Sequence, residues 1–183
     1  SEMCIRDRFG GCTGMDARAF VAFIDDLISK YGIAPNIVEL GGDHIGPQVW
    51  KTQTADSAIA KAQYLVSDYE RAGIKKNNPD CSEGCAGEPP LVEDVTGAEQ
   101  AALLAFSCLY AAAAPKELIF GSGTEGPRPG GARRGKDGHI IPTSTKSAVK
   151  TITAHRTAFA EKGIAERSQR AALGHLLHQG DSN

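Results

Sequence analysis

The chain has 183 residues, enough for one domain of ordinary size. Hydrophobic residues make up 41% and charged residues 23%, which supports a packed core and argues against global disorder. A net charge of -2 does not ask for nucleic acid or an anionic membrane as partner, and no apolar run approaches the roughly 20 residues of a membrane span. The opening residues are too charged for a signal peptide, so the expected location is the cytoplasm.

Asp16 is placed to cap a first helix, on which Phe20, Phe23, Ile24, Leu27, Ile28 and Tyr31 share one face and which Gly32 closes. A short apolar run, Ile37 to Leu40, follows Pro35 and stops at Gly41-Gly42, which suits a strand buried on both faces. Thr54 is expected to cap a second helix with the face Ala58, Ile59, Ala62, Leu65, Val66 and Tyr69, ended by Gly73. The rhythm then asks for a strand, but Ile74-Lys75-Lys76-Asn77-Asn78-Pro79 makes a poor one, with its lysines, asparagines and proline. Cys81 to Pro90 reads as a loop and Gly97 to Ala114 as an alanine-rich helix, apolar nearly all round and therefore covered. Glu117 to Phe120 is a short strand that ends in Gly121-Ser122-Gly123-Thr124-Glu125. Gly126 to Gly138 reads as loop. Ser144 or Thr145 caps a fourth helix with Ala148, Val149, Ile152, Arg156 and Phe159 along one side, Gly163 punctuates it, and Ile164 to Leu177 reads as a further helix.

Alternating helices and strands imply parallel pairing. With no G-x-G-x-x-G helix opening and no Walker lysine, a (β/α) barrel is favoured over a nucleotide-binding doubly wound sheet. A full barrel takes eight strands and about 250 residues. The expected class is therefore α/β, a partial TIM (β/α) barrel with parallel strands, incomplete at both ends. Residues 1–8 form an N-terminal stub, 9–177 the partial barrel and 178–183 a polar tail.

In such folds the chemistry sits on the loops after the strands. Asp43, His44, Asp80 and Glu125 each follow a strand-like segment and are the candidate catalytic residues. His44 reads as metal ligand or acid/base, and Asp43 as ligand or orienting partner. With Glu125 they form the candidate metal set. The bland alternative has Asp43 capping a short helix and His44 packing on Trp50. Neighbouring side chains of a strand point to opposite faces, so Asp43 and His44 share a face only if Gly41-Gly42 turn the chain. Ser82 and Glu83 are placed to bind sugar hydroxyls and Arg128 to bind a phosphate, although Arg128, Arg133, Arg134 and Lys136 also fit a solvated loop. His139, His155, His175 and His178 lack partners at metal spacing. Cys81 and Cys85 stand without a second cysteine pair or a nearby histidine, and reduced thiols are the expectation for all five cysteines.

Four stretches carry a family resemblance. Phe9-Gly10-Gly11-Cys12-Thr13-Gly14-Met15, Gly41-Gly42-Asp43-His44-Ile45-Gly46-Pro47, Asp80-Cys81-Ser82, and Gly123-Thr124-Glu125 with Pro127 and Pro129-Gly130-Gly131 keep the order and spacing of its motifs. The chain resembles the non-catalytic (Z-type) subunit of class II D-tagatose-1,6-bisphosphate aldolase from about Phe9 to about Ala165. The resemblance implies a TIM-barrel-like fold and a place in galactitol, tagatose or N-acetylgalactosamine breakdown. It implies a catalytic class II aldolase subunit as partner and a role in supporting that subunit's activity and stability. Some relatives are metal-dependent ketose epimerases, so a sugar phosphate and a divalent metal (zinc, manganese or similar) enter if that reading holds. A plain protein-binding module without a sugar site is a third reading, and a fragment inactive by itself a fourth. The family's strand before Asp80 reads K-I-H-L-D, whereas here it is Lys76-Asn77-Asn78-Pro79-Asp80, without the histidine. Family members are about twice this length, so a first strand is expected ahead of Phe9 and a second half after Leu177. An open arc of a barrel would leave strand edges unpaired and make the isolated chain marginal or aggregating.

Overall fold

The computed structural model describes residues 14–112, 119–120, 133–134, 140–141 and 144–164. Four helices, α1 (Ala17–Tyr31), α2 (Ala55–Arg71), α3 (Asp94–Ala111) and α4 (Thr145–Glu161), alternate with strands β1 (Gly41–Ile45), β2 (Lys76–Pro79) and β3 (Ile119–Phe120). These strands form a sheet in the order β1-β2-β3, with both pairings parallel. A separate antiparallel pair joins β4 (Arg133–Arg134) to β5 (Ile140–Ile141). That pairing lies partly within the stretch expected to be loop.

The helices follow from local chemistry. The Asp16 carboxylate accepts the Ala19 N–H at 2.8 Å, and the Ser144 hydroxyl accepts the Ser147 N–H at 3.1 Å, each satisfying a donor of a first turn. The cap expected of Thr54 is not made: it precedes α2 without a side-chain hydrogen bond, and only its carbonyl joins the first turn, accepting the Ala58 N–H at 2.9 Å. Three helices end alike: Gly32, Gly73 and Gly163 take φ of 63°, 93° and 68°, and the isoleucine after each donates back to the closing turn. Ile74 and Ile164 thereby enter the core.

α2 buries the face expected of it, Ala58, Ile59, Ala62, Leu65, Val66 and Tyr69, and adds Glu70. On α1 only part of the expected face is buried: Phe20 and Ile28 pack inward, while Phe23 and Tyr31 are exposed. α3 begins three residues before Gly97, and Gly97 lies against the Cys81 carbonyl, where a Cβ would be 3.1 Å from that oxygen. Its expected cover is incomplete, since Phe106 is half-exposed and Tyr110 is 89% exposed. On α4 the buried stripe is His155, Ala158 and Phe159, while Val149 and Arg156 of the expected face turn outward. The α4 stripe packs on α3, and Asp94 reinforces the contact through Lys150 at 3.2 Å and Thr151 at 3.4 Å. α2 lies on β1 and α3, and α3 on β2 and α4, so one helical layer covers one face of the sheet. Residues 113–114 of the expected third helix and 165–177 of the expected last helix lie outside the described residues.

Both strand expectations near the site need correction. The apolar run before the glycines is not the strand. Pro35–Ile37 forms a single 3-10 turn, Ile37 is 73% exposed, and the ladder begins at Gly41. Gly42 is needed there because a Cβ would come within 2.3 Å of Ile45 and 2.6 Å of Tyr69, and Ile45 is the residue that fills the core. The polar stretch after Gly73 is a strand after all. Asn77 and Asn78 are buried in β2, each with its amide nitrogen bonded: Asn77 donates to the Ile74 carbonyl at 3.0 Å and to Glu70, and Asn78 donates to Asp43. Pro79 costs no ladder bond to β3, because the described β2–β3 pairing involves only Lys76 and Asn77.

Candidate functional site

The site starts from an irregularity in β1. Gly42 pairs with Asn77 and Ile45 with Pro79, so three steps along β1 match two along β2. The extra residue is a β-bulge, and within it His44 takes φ 50°, a left-handed conformation held at some cost by its surroundings. Gly42 and Ile45 both face the helical layer, against Tyr69 and the core. Asp43 and His44 therefore leave the strand together on the opposite face. The bulge, rather than a turn at the two glycines, places an acid and an imidazole side by side.

The Asp43 carboxylate accepts the His44 N–H at 3.1 Å and the Asn78 amide. It thus braces the bulge. It caps no helix: the 3-10 turn over Pro47–Trp50 begins at Gly46 without a side-chain cap.

Asp80 directly follows β2 and is buried. Its N–H donates to the Ile45 carbonyl at 3.1 Å, its own carbonyl accepts the Gln48 side-chain amide, and its carboxylate accepts the Ser82 N–H at 3.0 Å. Gly46 permits this join, since a Cβ there would lie 1.8 Å from the Asp80 carbonyl oxygen. Ser82 is buried and its carbonyl accepts the Val92 N–H at 3.1 Å, while Glu83 bridges to Leu91. The Gly/Pro-rich segment after Asp80 is thus a folded platform. Across from it, Lys51 pairs with Glu83 at 2.9 Å, and this hydrogen bond, then the charge of Glu83, holds the Lys51 ammonium above its usual range.

These groups enclose a cleft of about 350 Å³ lined by His44, Gln48, Lys51, Asp80, Ser82 and Glu83, with Val49 beside them. Of the sequence candidates, His44, Asp80, Ser82 and Glu83 meet here. Asp43 is not among the described residues that line the cleft. Glu125 and Arg128 lie outside the described residues. Gln48 and Lys51 escaped sequence reading; their only signal was Gly46-Pro47, which opens the turn that carries Gln48. Among the described residues no three His, Cys, Asp or Glu side chains gather as a metal centre. Cys81, Cys85 and Cys108 are free and buried, and burial first of all pushes each thiol up. His155 packs inside, its ring nitrogen 2.9 Å from the Thr151 carbonyl and its ring edge-on to Phe159. No helix among the described residues is long and apolar enough to cross a membrane.

A mixed α/β chain with a polar cleft at the carboxyl ends of adjacent parallel strands defines a protein class in which such clefts hold small ligands. The sequence narrows this further. The profile of the D-tagatose-1,6-bisphosphate aldolase subunit GatZ/KbaZ-like family matches residues 5–176, and the chain belongs to that family. It is 40% identical over 167 residues to a D-tagatose 6-phosphate 4-epimerase of Agrobacterium fabrum, covering 90% of this chain and 39% of that protein. It is 39% identical over 163 residues to the D-tagatose-1,6-bisphosphate aldolase subunit GatZ of Escherichia coli, covering 87% of this chain and 38% of that subunit. The crystal structure of a probable tagatose 6 phosphate kinase from Sinorhizobium meliloti superposes with a TM-score of 0.74 at 33% identity, over 88% of this chain and 38% of that one. The chain thus spans about two fifths of the length of these relatives.

Proposed function

We propose that this chain forms one wall of a ketose-phosphate site in a partial (β/α) barrel, and that it serves as an accessory subunit of tagatose-bisphosphate aldolase, supporting a separate catalytic subunit. The carrying observation is that His44 and the Asp80–Ser82–Glu83 platform, from the ends of two adjacent parallel strands, face one cleft. The unreversed order β1-β2-β3 supports the barrel reading. The accessory reading is supported by family membership and by the name of the E. coli relative. On it the protein works in the cytoplasm, in galactitol, tagatose or N-acetylgalactosamine breakdown. The test is to add the purified chain to a catalytic class II aldolase subunit and follow cleavage of tagatose 1,6-bisphosphate. Raised activity or thermal stability of the catalytic subunit is expected, and neither changing would reject the role.

A second reading, ketose-phosphate epimerisation by the protein itself, is favoured by the proton-transfer groups His44 and Asp80 sharing the cleft and by the name of the A. fabrum relative. In it His44 and Asp80 exchange protons with the sugar, Ser82 and Glu83 bind hydroxyls, and Arg128 holds the phosphate. Asp43 and His44, which leave the bulge on one face, would hold a divalent ion with Glu125, an imidazole-carboxylate set suited to zinc or manganese. Such an ion, when bound, polarises the ketose carbonyl. NMR of tagatose 6-phosphate incubated with the chain alone, with and without a divalent ion, decides between the readings: turnover without a partner rejects the accessory role. Absence of saturable sugar-phosphate binding would leave only a protein-binding module.

A further inference from the structure

The inference rests on the ketose-phosphate reading and concerns which part of the ligand this cleft meets. Phosphates are held by arginine clusters, lysines and the amides of helix N-termini. The described wall offers little of this. Its only cation is Lys51, which sits exposed at the rim and is already bonded to Glu83 at 2.9 Å. Against it stand two carboxyl side chains, Asp80 and Glu83. Among the described lining residues none belongs to α3, whose first residue, Asp94, bonds Lys150 and Thr151 on α4. An ionised carboxylate only accepts hydrogen bonds, and a sugar hydroxyl brings a donor. A phosphate dianion in the same place would meet like charge at short range.

We infer that this cleft takes the hydroxyl-bearing carbon chain of the ketose and leaves the phosphate outside it. Glu83 is then an acceptor for a sugar hydroxyl, and Lys51 steadies Glu83.

The two placements predict opposite signs for Glu83→Gln, a substitution at a half-exposed side chain. With hydroxyls in the cleft, calorimetric titration shows the variant binding D-tagatose 6-phosphate and neutral D-tagatose more weakly by the same factor, about tenfold. Inorganic phosphate gives no saturable binding that Lys51→Ala removes. With phosphate in the cleft, Glu83→Gln removes a like charge and frees Lys51, so it tightens tagatose 6-phosphate alone. That tightening, or phosphate binding lost in Lys51→Ala, overturns the inference while the sugar-phosphate site stands. Failure of wild-type chain to bind either sugar rejects the site itself, and the inference with it.

Discussion

The side-chain amide of Asn78 donates to the carboxylate of Asp43, and that carboxylate also accepts the backbone N–H of His44. A buried residue of β2 thereby holds the bulge of β1 that presents the imidazole to the cleft. Asn78→Ala removes the donor and leaves a void in a buried position. A loss of about 1–3 kcal/mol in denaturant unfolding is expected, together with weaker sugar binding. Asn78→Asp sets two carboxylates against each other and costs more. If both variants keep wild-type stability and binding, Asn78 does not hold the bulge.

Glu70 titrates in the wrong range for a carboxyl. Burial pushes it up to about 8, and the hydrogen bond from Asn77 lowers it only in part. The protonated form also brings a donor next to Asn77, whose Oδ1 is buried and has no partner among the described residues. Cys108 also faces it. In the unfolded chain Glu70 releases its proton near its ordinary value of 4.5, so between about 4.5 and about 8 the folded state holds more protons. Stability from this group is full below that window, falls as pH rises through it, and levels off above. The expected span is on the order of 3 kcal/mol. Denaturant midpoints measured from about pH 4 upward should show this slope, and Glu70→Gln, which keeps an acceptor and a donor for Asn77, should flatten it.

Gly46, just after β1, lies against the backbone of Asp80, just after β2. A Cβ 1.8 Å from the Asp80 carbonyl oxygen has no room, and that oxygen also accepts from Gln48. Gly46→Ala must therefore part the two strand ends, at about 1–3 kcal/mol, and move Asp80 away from His44. Thermal unfolding and sugar titration of the variant should both deteriorate. Gly87→Ala makes a control, because its Cβ meets nothing within 4 Å and only its φ of 89° resists the change.

Cys81 and Cys108 are inaccessible, and their thiols are pushed well up. Thiolate is the reactive form, so both should stay unmodified by iodoacetamide at pH 8 in the folded protein and react fully once it is unfolded. Peptide-resolved mass spectrometry distinguishes them from Cys4 and Cys12. Rapid native alkylation of Cys108 would show that the α2–α3 packing opens readily.

Helices were legible wherever the signal is local. The face of α2 could be read residue by residue, because a 3.6-residue period writes the buried side directly into the chain. The Asp16 cap and the glycine ends of α1, α2 and α4 were likewise local. Phe23 and Val149 show the limit: periodicity says which residues share a face, and only the neighbouring element decides how wide a strip of that face is covered.

The strands and the cleft belong to the tertiary structure. Ile37 to Leu40 is more apolar than Gly41-Gly42-Asp43-His44-Ile45, yet the second segment is the strand, because it alone fits between Tyr69 and β2. Asn77 and Asn78 look wrong for a buried strand until Glu70 and Asp43, distant in sequence or on another element, supply their partners. The chain by itself determined the helices, the glycine closures and the acid-imidazole pair. Which way that pair points, and that Lys51 and Gln48 join it, were decided by pairing register and by close backbone approach, which are properties of two segments together and are written in neither one.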